Sequence, residues 1–259
     1  MPWVLKQYDD RMSTYSRRGI HGQVVDSLGL RILSGSLPPG SVIDPEQLIE
    51  EFEVSRTVVR EAFKVLTAKG LLDARPRTGT YITERSRWQL LDTDVMNWRS
   101  RGASDPLLLL ELGEVRQIIE PAAARMAAAR RTAAHITELR AALDAMIAWD
   151  GVRNDDLVQA DLAFHRLVLI AAGNELLQHF EVVLQPALEA RDTLLHDRSG
   201  DRSFIDSHTK VFEAINNRDS QGAHELMSQM MATAAHDIEL VLERDARGRD
   251  ILRGRSSVL

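Results

Sequence analysis

Cysteine is absent from the 259 residues, so neither disulfide bonds nor thiolate-held zinc can contribute to stability or chemistry. Aromatic residues are scarce, at 5 %, and any core must be built mainly from aliphatic side chains. No apolar run approaches the roughly 18 residues that a membrane-spanning helix requires, and the N-terminus lacks the apolar core of a signal peptide. A cytoplasmic protein with no membrane partner is expected. Glycine-rich phosphate loops, nucleophile motifs and a recognisable set of oxyanion donors are missing as well, which argues against an enzyme.

Charge of one sign is also in short supply, because the net charge is only −6. Its distribution is uneven: residues 1–90 hold 13 Lys/Arg against 11 Asp/Glu, and the remainder holds 19 against 27. The mild basic excess of the first part fits contact with a polyanion, while an acidic second part would keep nonspecific binding modest. At this length two domains are expected, and a hydrophobic content of 44 % is sufficient to pack them.

Residues 44–83 carry the densest information. Leu48 and Phe52 mark one apolar face, Val54-Ser55 interrupt the period, and a second helix restarts at Arg56. Ser55 suits an N-cap, and Val58, Val59, Ala62 and Phe63 can pack inward, which leaves Arg56, Thr57 and Arg60 on the outer face. Guanidinium groups at the start of a helix meet the paired acceptors of guanine when that end enters a major groove. Lys69-Gly70 ends the helix, and Arg75-Pro76-Arg77-Thr78-Gly79-Thr80 reads as a basic β-turn. Upstream, Val24, Leu28, Ile32 and Leu33 predict an amphipathic first helix closed by Gly35. The whole is a winged helix-turn-helix. Each piece alone has a plainer reading, a solvated helix face or a simple hairpin, but their combination favours DNA.

The segments 35–40, 54–62 and 70–72, with Thr78-Gly79-Thr80-Tyr81-Ile82, resemble the DNA-binding domain of the GntR family of bacterial transcription regulators. The resemblance implies base contacts by Arg56 and Arg60 with help from Thr57, and a wing that reaches the minor groove through Gly79, with Ser55, Arg75, Arg77 and Thr78 completing the DNA-binding set. Many relatives carry an arginine where this chain has Glu46, so one phosphate or base contact is expected to be missing.

Residues 85–105, with Trp88 and Trp98 as packing anchors, are expected to form a linker and the first helix of the next domain. From Asp105 onward apolar residues recur at three and four, with breaks at Gly113, Pro121, Gly151 and Gly173, which predicts an all-α antiparallel bundle. Asp161 and His165, four apart, present a carboxylate and an imidazole on one face, and His208 can close a site from across the bundle. The plainer readings are a hydrogen-bonded pair and, for His208, a surface residue at a helix start. A metal-dependent hydrolase or isomerase using these three residues is the alternative from another class. Arg116 reads either as an anion clamp or as the partner of Glu120 or Glu114. Asn174 either lines a cavity or caps the next helix.

Residues from about 109 to about 243 are similar to the helical effector domain of the FadR-type branch of the same family, through Glu114-Val115-Arg116, Glu120-Pro121, Asp161 with His165, Ala172-Gly173-Asn174 and His208. The resemblance implies a divalent metal, zinc first, held by Asp161, His165 and His208. Met230 replaces the expected fourth ligand, a histidine, and His224 and His236 are out of register. It further implies that Arg116 clamps the carboxylate of a small organic acid beside Asn174, Asp161, His165 and His208. Trp88 with Leu91-Asp92-Thr93-Asp94-Val95-Met96-Asn97-Trp98 looks like the galactonate-responsive repressors of this branch, which puts sugar acids ahead of lactate-like acids and dicarboxylates. The expected organisation is a loose arm (1–18), a winged helix-turn-helix (19–84), the connecting segment (85–105), a helical effector and dimerisation domain (106–245) and a tail (246–259). A homodimer on a palindromic operator, released by the acid, is the expected mode of action.

Overall fold

The computed structural model describes residues 19–101, 106–149, 155–181 and 202–244. The expected arm, the tail and the break at Gly151 lie outside the described residues. The chain divides into two compact units, 1–105 and 106–259, and among the described residues no helix is long and apolar enough to cross a membrane.

In the first unit, α1 (Ile20–Leu33) turns Val24, Val25, Leu28 and Ile32 inward and gives way at Gly35, where φ is 79°. After β1 (Val42–Ile43), Asp44 caps α2 (Pro45–Phe52) by accepting from the Glu46 backbone N–H, with Pro45 supplying a preset first residue. α3 (Arg56–Ala68) starts at the Ser55 cap, whose hydroxyl accepts from Val58 N, and buries Val59, Ala62 and Leu66. β2 (Leu72–Arg75) and β3 (Gly79–Ile82) form the wing, antiparallel, with Ala74 opposite Thr80. The sheet order is β1-β3-β2. β1 was not anticipated, because two residues are too few to show a strand period; its pairing of Val42 with Tyr81 defines it.

The connecting segment corrects the expected organisation. α4 (Thr93–Arg101) does not open the second domain but packs on α1 within the first unit. Trp98 is only 1 % exposed, lies in the same core as Leu28 and Leu66, and donates from Nε1 to Asp26 Oδ1 at 2.7 Å. The indole fits because α1 carries Gly29 there; a Cβ at that position would overlap the ring. Lys69, 2 % exposed at the end of α3, fastens the same segment through Asp92 at 2.8 Å and Asp94 at 2.7 Å. We therefore predict that Gly29→Ala destabilises the first unit by about 1–3 kcal/mol, the usual cost of overpacking, measurable by chemical denaturation.

The second unit is all helical among its described residues: α5 (Pro106–Arg130), α6 (Ala133–Ile147), α7 (Asp155–Ala171), the short α8 (Glu175–Gln178), α9 (Ser203–Asn216) and α10 (Ser220–Arg244). Gly113 and Pro121 do not break it, contrary to expectation; both sit inside the continuous 25-residue α5. A glycine costs about 1 kcal/mol and a proline about 3 in a helix interior, and α5 offsets that by packing against α7, α9 and α10. Its alanines at 123, 124, 127 and 128 are fully buried and let neighbours approach closely. Gly173, at φ 63°, does separate α7 from α8. Phe164, Val168, Leu143, Phe212 and Met227 fill the centre.

Candidate functional sites: a DNA-reading surface and a buried carboxylate-histidine cluster

The cap at Ser55 and the inward stripe of α3 leave Arg56, Thr57 and Arg60 exposed on one face, as the spacing predicts. The two guanidinium side chains are 77 % and 71 % exposed. Arg56 Nη2 donates to Glu46 Oε1 at 2.5 Å, across the starts of α2 and α3. Glu46 therefore does more than omit a contact: it engages one of the two arginines. Among the described residues Arg60 has only the distant Glu61, at 3.9 Å. An ion pair this exposed contributes about 0–1 kcal/mol to folding. In the wing, Arg75, Arg77, Thr78 and Gly79 are all exposed. Arg75 stacks on the Tyr81 ring at 4.4 Å, whereas Arg77 takes the turn at φ 68°, a conformation unusual for a side chain with a Cβ, and Gly79 follows at φ 90°.

The second site lies inside the bundle, where α7 presents Asp161 and His165 one turn apart, α9 presents His208, and α5 presents Glu120. His165 and His208 are 1 % and 2 % exposed. His208 corrects one expectation, because α9 begins at Ser203 and the imidazole sits buried in its second turn instead of on the surface at its start. Asp161 Oδ1 lies 2.8 Å from His208 Nε2 and 3.4 Å from His165 Nε2, and the two Nε2 atoms are 3.3 Å apart.

The opposite ring nitrogens are both occupied. His208 Nδ1 faces the Phe204 carbonyl at 2.7 Å and His165 Nδ1 faces Glu120 Oε2. Since a carbonyl and a carboxylate only accept, each Nδ1 must donate, and in the neutral tautomer both Nε2 lone pairs then point at the same place as the Asp161 carboxylate. Three acceptors converging in a largely buried site need a cation or a proton among them. Burial disfavours the Asp161 and Glu120 carboxylates as charged groups, yet the histidines beside Asp161, and Arg116 with His165 beside Glu120, outweigh it; Asp161 is held well below the usual carboxylate range and Glu120 down to about 2. Burial would lower His165, but the Glu120 charge and Asp161 raise it. The donor set of one carboxylate oxygen and two imidazole nitrogens, each imidazole oriented from behind, fits a divalent metal such as zinc. Among the described residues no fourth Asp, Glu or His joins it. Met230 is buried in the bundle core, His236 is 67 % exposed on α10, and His224 stands outside the cluster.

Arg116, 5 % exposed, donates from Nε to Glu120 Oε1, so the internal ion pair weighed from the sequence is present. Its Nη2 is nevertheless buried with no hydrogen-bond partner among the described residues, and Arg116 lines a cleft with Leu109, Gly113, Met231, Ala234, Ala235 and Ile238. Asn174 does not line that cleft: its side chain accepts from Leu176 N at 3.0 Å and caps α8. The tie from Glu120 to His165 is the feature that sequence reasoning left out. The spacing of Arg116 and Glu120, four apart on one helix, signals only the other half of that bridge.

A winged helix-turn-helix with two exposed arginines at the start of its third helix, joined to a helical unit with a buried polar centre, defines a DNA-binding transcription regulator. The chain belongs to the GntR family: residues 20–82 match the bacterial regulatory proteins of the gntR family and residues 111–233 match the FCD domain. It is 34 % identical over 221 residues to the galactonate operon transcriptional repressor of Escherichia coli (strain K12), covering 84 % of this chain and 96 % of that one. It is 32 % identical over 198 residues to the HTH-type transcriptional regulator LutR of Bacillus subtilis (strain 168), covering 71 % and 85 %. The solved structure of Lar, which controls the expression of the Listeria monocytogenes agr system, shares the fold at a TM-score of 0.58 and 17 % identity, covering 86 % of this chain and 98 % of that chain. The chain is accordingly a regulator and not a hydrolase or isomerase.

Proposed function

We propose that this regulator is a homodimeric repressor on a palindromic operator, released when its helical domain takes up a small organic acid, with sugar acids of the aldonate type first among them. The observation that carries the acid is the pairing, in one domain, of a buried carboxylate-histidine cluster whose three ligand atoms suit a cation with an Arg116 Nη2 that has no hydrogen-bond partner among the described residues. The similarity to a galactonate operon repressor supports the aldonate class. Asp161, His165 and His208 would hold a divalent ion, which would supply positive charge and open positions for hydroxyl and carboxylate oxygens. Arg116 would pair with the ligand carboxylate through Nη2 while Glu120 keeps hold of Nε. Release requires only that the acid bind one arrangement of the dimer better than the other, and a coupling of about 1–3 kcal/mol weakens operator binding about 5- to 150-fold.

Thermal-shift titration with galactonate, gluconate, lactate and a dicarboxylate, each with and without chelator, tests the reading. Stabilisation by an aldonate that chelator removes is expected; indifference to every acid would refute it. Glu120→Gln is a further prediction: loss of the carboxylate behind His165 should lower metal affinity about 10- to 100-fold in a competition assay with a metallochromic dye.

A further inference from the structure

We propose that Glu46 is a positioning residue for base readout: its pair with Arg56 fixes the guanidinium at the groove, so that sequence choice at one base pair depends on a residue of the neighbouring helix. Both ends of the pair are anchored. Glu46 sits in the first turn of α2, behind the Asp44 cap and Pro45, and Arg56 is the first residue of α3, behind the Ser55 cap. Their 2.5 Å contact thus joins two rigid helix starts. Exposure of 58 % and 77 % leaves the pair little part in folding, so its consequence has to be sought at the surface it occupies.

An unbraced arginine must give up rotamer freedom when it docks, and a braced one has already done so. The contact uses a single N–H of Nη2, and a guanidinium has five, so a parallel pair of donors remains for the O6 and N7 acceptors of guanine. Desolvation in the groove strengthens the brace further. Arg60 makes the contrast: its closest carboxylate, Glu61 at 3.9 Å, is taken by Lys64 at 2.8 Å. One helix therefore offers one fixed and one adaptable reader. The carboxylate also repels phosphate, so its removal should raise nonspecific affinity while it lowers discrimination.

The test uses the full chain and a duplex selected by the native protein from a random pool, together with single-base-pair variants of it, at fixed salt. Arg56→Ala, Glu46→Ala, Glu46→Gln and the double alanine variant are compared by fluorescence anisotropy. Glu46→Ala should keep the native unfolding midpoint and lose about fivefold in discrimination at the base pair that Arg56→Ala also loses, with no further loss in the double variant. Glu46→Gln, which keeps an acceptor, should retain part of that discrimination. Unchanged preference in both Glu46 variants would overturn the proposal. So would losses that add in the double variant, or a loss at a different base pair, which would make Glu46 a direct reader.

Discussion

Arg56→Ala and Arg60→Ala are each expected to lower operator affinity about 5- to 150-fold per half-site, and the double variant is expected to bind its operator no better than random DNA. The size follows from what the side chains do. A bidentate pair with a base discriminates by about 1–3 kcal/mol, the same loss would recur in each half of the proposed twofold site, and specific complexes exceed nonspecific ones by about 10³ to 10⁷. Neither guanidinium is part of the core, since Val59, Ala62 and Leu66 carry the packing of α3. Unfolding midpoints should therefore stay native and effector uptake should survive. Mobility shifts at one fixed salt concentration, alongside calorimetry with the acid, measure both. Retained operator preference in the double variant would refute the role assigned to this helix.

The second large effect is expected in the other domain, with the opposite pattern. His165→Ala removes one of three converging ligand atoms together with the donor to Glu120 Oε2, and Arg116→Ala removes the guanidinium that holds the other Glu120 oxygen. Operator binding should remain near native while release by the acid disappears, a change from up to 150-fold to none. Arg116→Ala carries a second consequence. It strips a buried carboxylate of a partner, and breaking such pairs costs about 3–5 kcal/mol; a lowered unfolding midpoint is expected for it beyond that of His165→Ala. A reporter assay with acid, read beside thermal unfolding, separates lost response from lost fold. Native induction in either variant would exclude that residue from the binding site.

The parts that local chemistry controls were legible in the sequence. Ser55 followed by a restarted apolar period located α3, Pro76 to Gly79 located the wing turn, and the spacing of Asp161 and His165 put both on one face of α7. What remained hidden depends on contacts distant in the chain. α4 reads as the start of a new domain because nothing nearby shows that Trp98 needs the gap at Gly29, 69 residues earlier, or that Lys69 is buried beneath Asp92 and Asp94. Pro121 reads as a helix end because the packing of α5 by three other helices is invisible to propensity. Asn174 had two readings, and the backbone N–H of Leu176 decided for the cap. Glu46 signalled only a missing arginine, and its tie to Arg56 required the fold to bring the starts of α2 and α3 together.

The most direct measurement is an anisotropy titration of the purified protein on duplex DNA from beside its own reading frame, with and without a saturating aldonate, at constant salt. Tight binding that random duplex of the same length does not compete away, weakened about 5- to 150-fold by the acid, is the predicted result. Equal affinity for both duplexes, in either condition, would contradict it.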